Sequence, residues 1–489
     1  MRIVILGAGQ VGASVAESLV SENNDITVVD SDSERLAYLQ DRNDLQTVVG
    51  NAAYPSVLAS AGLADADLLI AVTQSDQTNL VACKVAQSIF NVPARIARLR
   101  ASDFLYSEKL LAPTNFAVNY ALCPEQVITE YIARLIDFPE ALQVLSFAGG
   151  RLALVALRAY AGGLLVGRPI KEMRSHLPAE IDGRIAAIYR RDGAITPTPE
   201  TVIEDGDEVF LLAAEEHIRT VMRELRRSME PVQRVMLAGG GNIGLRVAQT
   251  LESKCQVKVI ESDRRRAELV AGSLRSVLVL NGDATDEELL AQEAIEEMDL
   301  FLALTNDDED NIMAASLAKR MGCKRVVALI NRRAYAELVQ GGPIDIAISP
   351  AQVSIGSLLT YVRQGDVAQV HSLRRGAAEA LEIVAHGDRK NSKVIGRRLD
   401  ELPTIEGATI AAIVRDLDKN EDISMVGMEK KKAKGRVLIA HRDLVVQAYP
   451  FLKRLVDLAG ETANLAVVES GQAVFVEQVQ CRELMRMSI

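Results

Sequence analysis

The chain has 489 residues, 48% of them hydrophobic, and a formal net charge of −11. That length holds several domains with real cores and excludes wholesale disorder. The acidic balance argues against a dedicated nucleic-acid binder, which needs clustered Lys and Arg against phosphate.

No apolar run approaches the roughly 18–20 residues that cross a bilayer, and a strand starting at Arg2 leaves no room for a signal peptide, so a soluble protein is expected. Cys83, Cys123, Cys255, Cys323 and Cys481 are scattered without a CxxC pair. Reduced thiols are expected, and a metal site is not.

RIVILGAG opens the chain as a short buried strand whose glycine turn starts a helix over Gln10 to Val20. DITVVD is a second strand, a helix follows near Ser33 to Leu39, and TVVGN, LLIAVT and RIARL continue the alternation. This is the pattern of a parallel sheet covered on both faces, over residues 1–127. Residues 128–228 change character. LALVALR, RIAAIYRRDG and DEVFLLAA, with turn signals at Asp192-Gly193 and Asp205-Gly206, read as a small strand-rich lobe.

Residues 232–351 repeat the first unit as RVMLAGGG, VKVIES, VLVLNGD, LFLALT and RVVALI. Residues 352–415 restart the lobe: KVIGRRLDEL parallels LVGRPIKEM, and IAAIVR parallels IAAIYR. Beyond Arg415 nothing matches IEDGDEVFLLAAEEHIRTVMRELRR of the first copy. The second lobe is therefore expected to be truncated, with 416–441 a charged linker. Residues 442–489 read as one amphipathic helix and one hairpin turning at Ser470-Gly471, too small to bury a core alone.

The two repeated units each carry a GxGxxG turn. Gly7, Ala8, Gly9, Gln10, Val11 and Gly12 form the first; Gly239, Gly240, Gly241, Asn242, Ile243 and Gly244 form the second, at an offset of 232 residues. In such a strand–turn–helix unit the first glycine permits the tight turn. The second lets backbone approach a pyrophosphate, and the third lets helix and strand pack closely. Asp30 and Glu261 end the next strand in each copy, about 20 residues on, where a carboxylate accepts hydrogen bonds from both ribose hydroxyls. It would repel a 2′-phosphate, so NAD is expected over NADP. The fold class is α/β: two Rossmann-like parallel-sheet nucleotide domains, each followed by a small α+β lobe, plus an atypical helix–hairpin tail.

Further candidates lie at the carboxyl edges of the sheets. Thr73 and Gln74 match Thr305 and Asn306, with Asp76 and Asn79 matching Asp308 and Asn311. A ligand-facing polar rim and simple helix capping both account for these residues. Arg98 and Arg100 close RIARLR; Arg332 matches Arg100, while Ile330 stands opposite Arg98. Phosphate pairing and plain solvation are both open for these arginines. Asp283 sits in a loop suited either to touching adenine or to turn chemistry. Of the histidines, His176, His217, His371 and His386 lie in or near the lobes and His441 in the tail, so no nucleotide unit holds an obvious proton-transfer partner. No P-loop lysine, GxSxG or HExxH motif occurs. A non-catalytic nucleotide sensor is favoured; the alternative is an NAD-dependent oxidoreductase with an unrecognised substrate site.

ILGAGQVG, NNDITVVDSDSERL, AVTQSDQTNLVACKVA, GGGNIG, FLALTNDDEDNIMAASLAKRMG, LINRRAYAELVQ and IDIAISP give the chain, over residues 1 to about 415, a strong resemblance. It resembles the TrkA family of peripheral regulators of Trk potassium uptake. The resemblance implies two RCK modules per chain, each a nucleotide domain with a smaller C-terminal lobe. It further implies binding of NAD(H), with ATP or ADP in some members. Attachment to the cytoplasmic face of a potassium-transporting Trk-type membrane subunit and a ring-like homo-oligomer are also implied. The tail departs from this pattern: GETANLAV and AVVESGQAVFV resemble the opening of the effector-binding domain of IclR-type transcriptional regulators, without the DNA-reading helix-turn-helix.

Overall fold

The computed structural model describes residues 1–20, 24–191, 193–226, 230–339, 342–362, 367–373, 378–385, 408–414, 423–425, 435–442, 463–469 and 472–479. The first unit contains β1 (Arg2–Leu6), α1 (Gln10–Val20), β2 (Asp25–Asp30), α2 (Ser33–Gln40), β3 (Gln46–Val49), α3 (Pro55–Ser60), β4 (Leu68–Ala71), α4 (Asp76–Ser88), β5 (Ala94–Arg98), α5 (Ser102–Leu105), α6 (Glu108–Leu111) and β6 (Tyr120–Leu122). Its sheet is ordered β3-β2-β1-β4-β5-β6, and the pairs are parallel. β4 is buried along its whole length, because both sheet faces carry helices. The chain order reverses between β1 and β4. At such a switch point the loops leave the carboxyl ends of the strands in opposite directions and open a crevice.

Helix α7 (Pro124–Asp137) leads out to β7 (Ala141–Phe147), β8 (Leu152–Arg158), α8 (Met173–His176), β9 (Gly183–Arg190), β10 (Gly193–Ile195), β11 (Glu208–Ala214) and α9 (Ile218–Met222). These strands form an antiparallel sheet in the order β10-β9-β11-β8-β7.

The second unit reproduces the first: β12 (Arg234–Ala238), α10 (Asn242–Leu251), β13 (Gln256–Glu261), α11 (Arg264–Ser273), β14 (Leu278–Asn281), α12 (Glu287–Gln292), β15 (Leu300–Ala303), α13 (Asp308–Arg320), β16 (Val326–Leu329), α14 (Arg333–Val339) and β17 (Ile346–Ile348). Its order, β14-β13-β12-β15-β16-β17, has the same reversal. Helix α15 (Pro350–Val362) follows, then β18 (Val367–Leu373), β19 (Ala378–Ala385), β20 (Ala408–Val414), β21 (Ile423–Met425) and β22 (Gly435–Arg442).

The second lobe requires a correction. From the sequence, 416–441 is a charged linker and the lobe stops at residue 415. In the structure β22 lies between β19 and β20, antiparallel to both, in a sheet ordered β18-β19-β22-β20-β21. β22 thus occupies the place that β11 holds in the first lobe. The strand text GRVLIAHR follows the run MEKKKAK, and that charge masks its apolar residues in a composition window. The tail forms the expected antiparallel pair, β23 (Ala463–Glu469) with β24 (Gln472–Val479). Its expected helix and its turn at Ser470-Gly471 lie outside the described residues.

The two connecting helices are exchanged between modules. α7 leaves the first nucleotide domain and packs on α10 of the second. α15 leaves the second and packs on α1 of the first, and also on α7. There Leu358 joins the core of Ile3, Val15 and Leu19, and Tyr361 stacks on Tyr120 at 5.3 Å between ring centroids. Each helix therefore buries its apolar face on the neighbouring module, which joins the two nucleotide domains.

Candidate nucleotide-binding site

Both glycine turns adopt the geometry their sequence demands. Gly7 and Gly239 have φ of +105° and +101°, a region open to glycine and closed to most side chains. An ideal β-carbon on Gly12 would lie 1.8 Å from the Gly7 carbonyl oxygen, and one on Gly244 would lie 1.9 Å from that of Gly239. Helix and strand can approach this closely only without those side chains. Gly9 and Gly241 differ: a β-carbon there meets nothing within 4 Å. Their missing side chains leave free space at the start of α1 and α10, where helix N–H groups remain available to an anion.

The acidic residue at the end of each second strand holds the turn. Asp30 accepts hydrogen bonds from the Ala8 N–H at 2.6 Å and the Asp32 N–H at 2.9 Å. Glu261 accepts the same pair, from Gly240 at 2.7 Å and Asp263 at 2.9 Å. Asp30 is half-buried and Glu261 buried. Each carboxylate oxygen has two acceptor positions, so one bond to backbone leaves capacity for a ribose hydroxyl.

The two turns open onto one continuous cavity of about 1570 Å³. Gly7, Ala8, Gly9, Gln10, Val11, Asp30, Thr73, Gln74, Arg98 and Arg100 line it from the first module. Gly240, Gly241, Asn242, Ile243, Thr305 and Asn306 line it from the second. Gly12, Gly239, Gly244 and Glu261 stand behind this surface and shape it. The cavity is larger than the roughly 300–1,000 Å³ of a typical single-ligand pocket.

Asn79 and Asn311 are fully buried clasps beneath the rim. Asn79 Oδ1 accepts from the Thr73 N–H at 3.0 Å and its hydroxyl at 2.7 Å, while Nδ2 donates to the Arg98 carbonyl at 2.8 Å. Asn311 makes the same bonds to Thr305, both at 2.8 Å, and to Leu329 at 2.9 Å. Asp76 accepts from the N–H groups of Arg100 and Ala101, each at 2.9 Å. Asp308 does the same for Asn331 and Arg332, each at 2.8 Å. These four residues fix the rim, and Thr73 and Thr305 face the cavity.

The modules differ at the third strand end. Arg98 and Arg100 share Glu125 of α7, at 3.5 and 3.4 Å. Each arginine keeps a buried Nε with no hydrogen-bond partner among the described residues. Burial and the neighbouring Arg100 pull the Arg98 guanidinium below its ordinary range, and Glu125 opposes this. Two guanidinium groups thus share one carboxylate at this point of the cavity wall. In the second module Leu329 holds the place of Arg98 and Asn331 that of Arg100, because Asn311 takes the Leu329 carbonyl and Asp308 the Asn331 N–H. The sequence match of Ile330 to Arg98 and of Arg332 to Arg100 is one residue out. At the start of α15 Ala351 stands where α7 carries Glu125.

Two sequence candidates fall elsewhere. Arg332 does not line the cavity: it donates to Glu309 at 2.7 Å and to the Tyr335 hydroxyl at 2.8 Å. The Tyr335 hydroxyl and then Glu309 hold its guanidinium above the ordinary range. Asp283 also lies off the cavity. It accepts from the N–H and hydroxyl of Thr285, each at 2.8 Å, a turn that lowers its carboxyl pKa. Asn51, the residue that matches Asp283 in the first module, does line the cavity, and residues not anticipated from the sequence complete the lining: Arg35 and Glu125 in the first module, Arg266 and Asn331 in the second. Glu125 had a usable signal, since it follows Pro124 at the carboxyl end of the last strand.

Comparison with known proteins agrees with this organisation. The TrkA-N domain family matches residues 3–118 and 235–350, and the TrkA-C domain family matches 154–226. The Trk system potassium uptake protein TrkA of Halomonas elongata is 52% identical over 448 residues, covering 92% of this chain and 94% of that protein. The TrkA of Vibrio alginolyticus is 52% identical over 416 residues, covering 85% and 91%. Among solved structures, the GsuK channel bound to NAD has a TM-score of 0.59 at 19% identity, covering 90% of this chain and 77% of that one. At that identity the likeness concerns the fold.

Proposed function

Because the chain belongs to the TrkA family of Trk-system potassium-uptake proteins, we propose that it is a nucleotide-sensing regulatory subunit, with NAD(H) held at the two glycine turns. The observation that carries this reading is the shared cavity lined by both turns. A dinucleotide places its pyrophosphate over Gly9 or Gly241 at a helix N-terminus, and its adenosine ribose against Asp30 or Glu261. ATP and ADP share the adenosine half and compete for the same turns. Arg98 and Arg100 supply guanidinium donors that can pair with a phosphate in the first cleft.

The regulated partner is a potassium-transporting Trk-type membrane subunit, which this chain meets on its cytoplasmic face. No helix among the described residues is long and apolar enough to cross a membrane, so transport belongs to the partner. The chain self-associates around it. Ligand that prefers one relative arrangement of the two nucleotide domains shifts their equilibrium, and the shift gates the transporter. An oxidoreductase would need a proton-transfer group beside the nicotinamide, and the histidines nearest in the chain sit in the lobes.

The test is potassium-analogue flux into vesicles reconstituted with the membrane subunit and this chain. Added NADH should change the flux severalfold, and the change should vanish with Gly9→Val and Gly241→Val combined. Flux that ignores nucleotide in the wild type contradicts the gating reading.

A further inference from the structure

The two clefts are tied by one side chain. Arg246 lies on α10, the helix that begins directly after the second glycine turn. Its Nη2 donates to the carbonyl of Arg100, in the first cleft, at 3.0 Å. We propose that Arg246 is a positioning residue that couples nucleotide occupancy of the second cleft to affinity in the first. The proposal rests on the nucleotide reading above and specifies its regulation.

Arg100 is held from three sides. Asp76 accepts its N–H, Arg246 takes its carbonyl, and Glu125 holds its guanidinium. Asp76 belongs to the first nucleotide domain and moves with it. The other two contacts come from α10 and α7, the helices packed on one another across the modules. α10 cannot slide relative to its own turn, because the Gly244–Gly239 contact leaves no room for even a β-carbon. A ligand that shifts the second turn must therefore carry α10 and Arg246 with it. The displacement reaches the Arg100 backbone directly, and reaches Arg98 and Arg100 again through α7 and Glu125.

The link is one-sided. The residue equivalent to Arg246 in the first module is Ser14, too short to span to the other cleft. In the second module Asn331 holds the place of Arg100, its N–H bonded to Asp308 as that of Arg100 is to Asp76. The direct side-chain reach into the other cleft thus runs from the second module to the first, and the resulting free-energy coupling is reciprocal between the sites.

The experiment uses the full chain with NADH as probe, in a double-mutant cycle. Gly241→Val fills the open space of the second turn. Arg246→Met keeps an unbranched aliphatic side chain and removes the donor. In the Arg246 background, Gly241→Val should change first-cleft affinity about 5-fold, the low end of ordinary coupling. In the Arg246→Met background the same substitution should leave it unchanged. An equal effect of Gly241→Val in both backgrounds overturns the proposal. Amide exchange supplies a second reading that needs no ligand: Arg246→Met should speed exchange at Arg100 and Ala101, and unchanged exchange there also overturns it. Absence of NADH binding to the wild type would refute the functional reading instead, while the exchange measurement would still decide the bridge.

Discussion

Gly240 and Glu261 fit one another: an ideal β-carbon on Gly240 would lie 3.2 Å from Glu261 Oε2 and 3.0 Å from Val270 Cγ2. The first cleft solves the same problem with the opposite sizes. There Ala8 carries the extra carbon, and the shorter Asp30 reaches the turn. One methylene has moved from the acidic side chain to the turn.

Gly240→Ala alone should therefore crowd the second turn and destabilise the protein by about 1 kcal/mol. Adding Glu261→Asp should recover most of that loss by recreating the Ala8–Asp30 pairing. Thermal unfolding of the two single variants and the double variant reads this coupling, and strict additivity would rule out the compensation.

Asn79→Ala should cost about 1–3 kcal/mol, because the buried Thr73 N–H and the Arg98 carbonyl lose their partner in a site closed to water. Asn311→Ala should behave alike in the second domain. Denaturant titration measures both; a loss under about 0.5 kcal/mol, typical of a surface change, would mean that the rim is held by other contacts.

Much of this was legible in the sequence, and the misses have physical causes. The glycine turns and their acidic partners stood out because close approach and positive φ constrain residue type at fixed spacing. The roles of Asn79 and Asp76 stayed ambiguous, since an amide or carboxylate in the first turn of a helix serves capping and ligand contact equally well. A constant offset matches Arg332 to Arg100, but one residue fewer before β16 puts Asn331 in that place and turns Arg332 towards Tyr335 and Glu309. The exchange of α7 and α15 could not be read, because an apolar helix face does not name the surface that covers it. β22 was hidden by the lysines that precede it.

The strand β22 joins β19 to β20, so a chain ending at residue 415 should lose the centre of the second lobe's sheet. Calorimetry of chains ending at 415 and 442 should show the shorter one unfolding at lower temperature or aggregating. Identical unfolding would make β22 dispensable.

His371 predicts a pH dependence. It packs edge-on against Phe147, with ring centroids 5.1 Å apart. Burial, with a lesser contribution from Arg134, pulls its pKa from 6.5 down to about 4. The unfolded chain therefore binds a proton that the folded chain refuses between these values. The stability from neutral His371 is fully present above pH 6.5 and is lost as pH falls towards 4. Stability of the wild type relative to His371→Gln should fall across that window; a constant difference from pH 7 to 4 would show that His371 titrates alike in both states.

The central claim is that both glycine turns hold nucleotide, and calorimetric titration of the full chain with NADH tests it most directly. Gly9 and Gly241 face open space, so valine at either position should fold normally and block only its own cleft. The wild type should bind two NADH per chain, each single variant one, and the folded double variant none. A double variant that is folded and still binds NADH with the wild-type stoichiometry, or a wild type that binds none, would contradict the account.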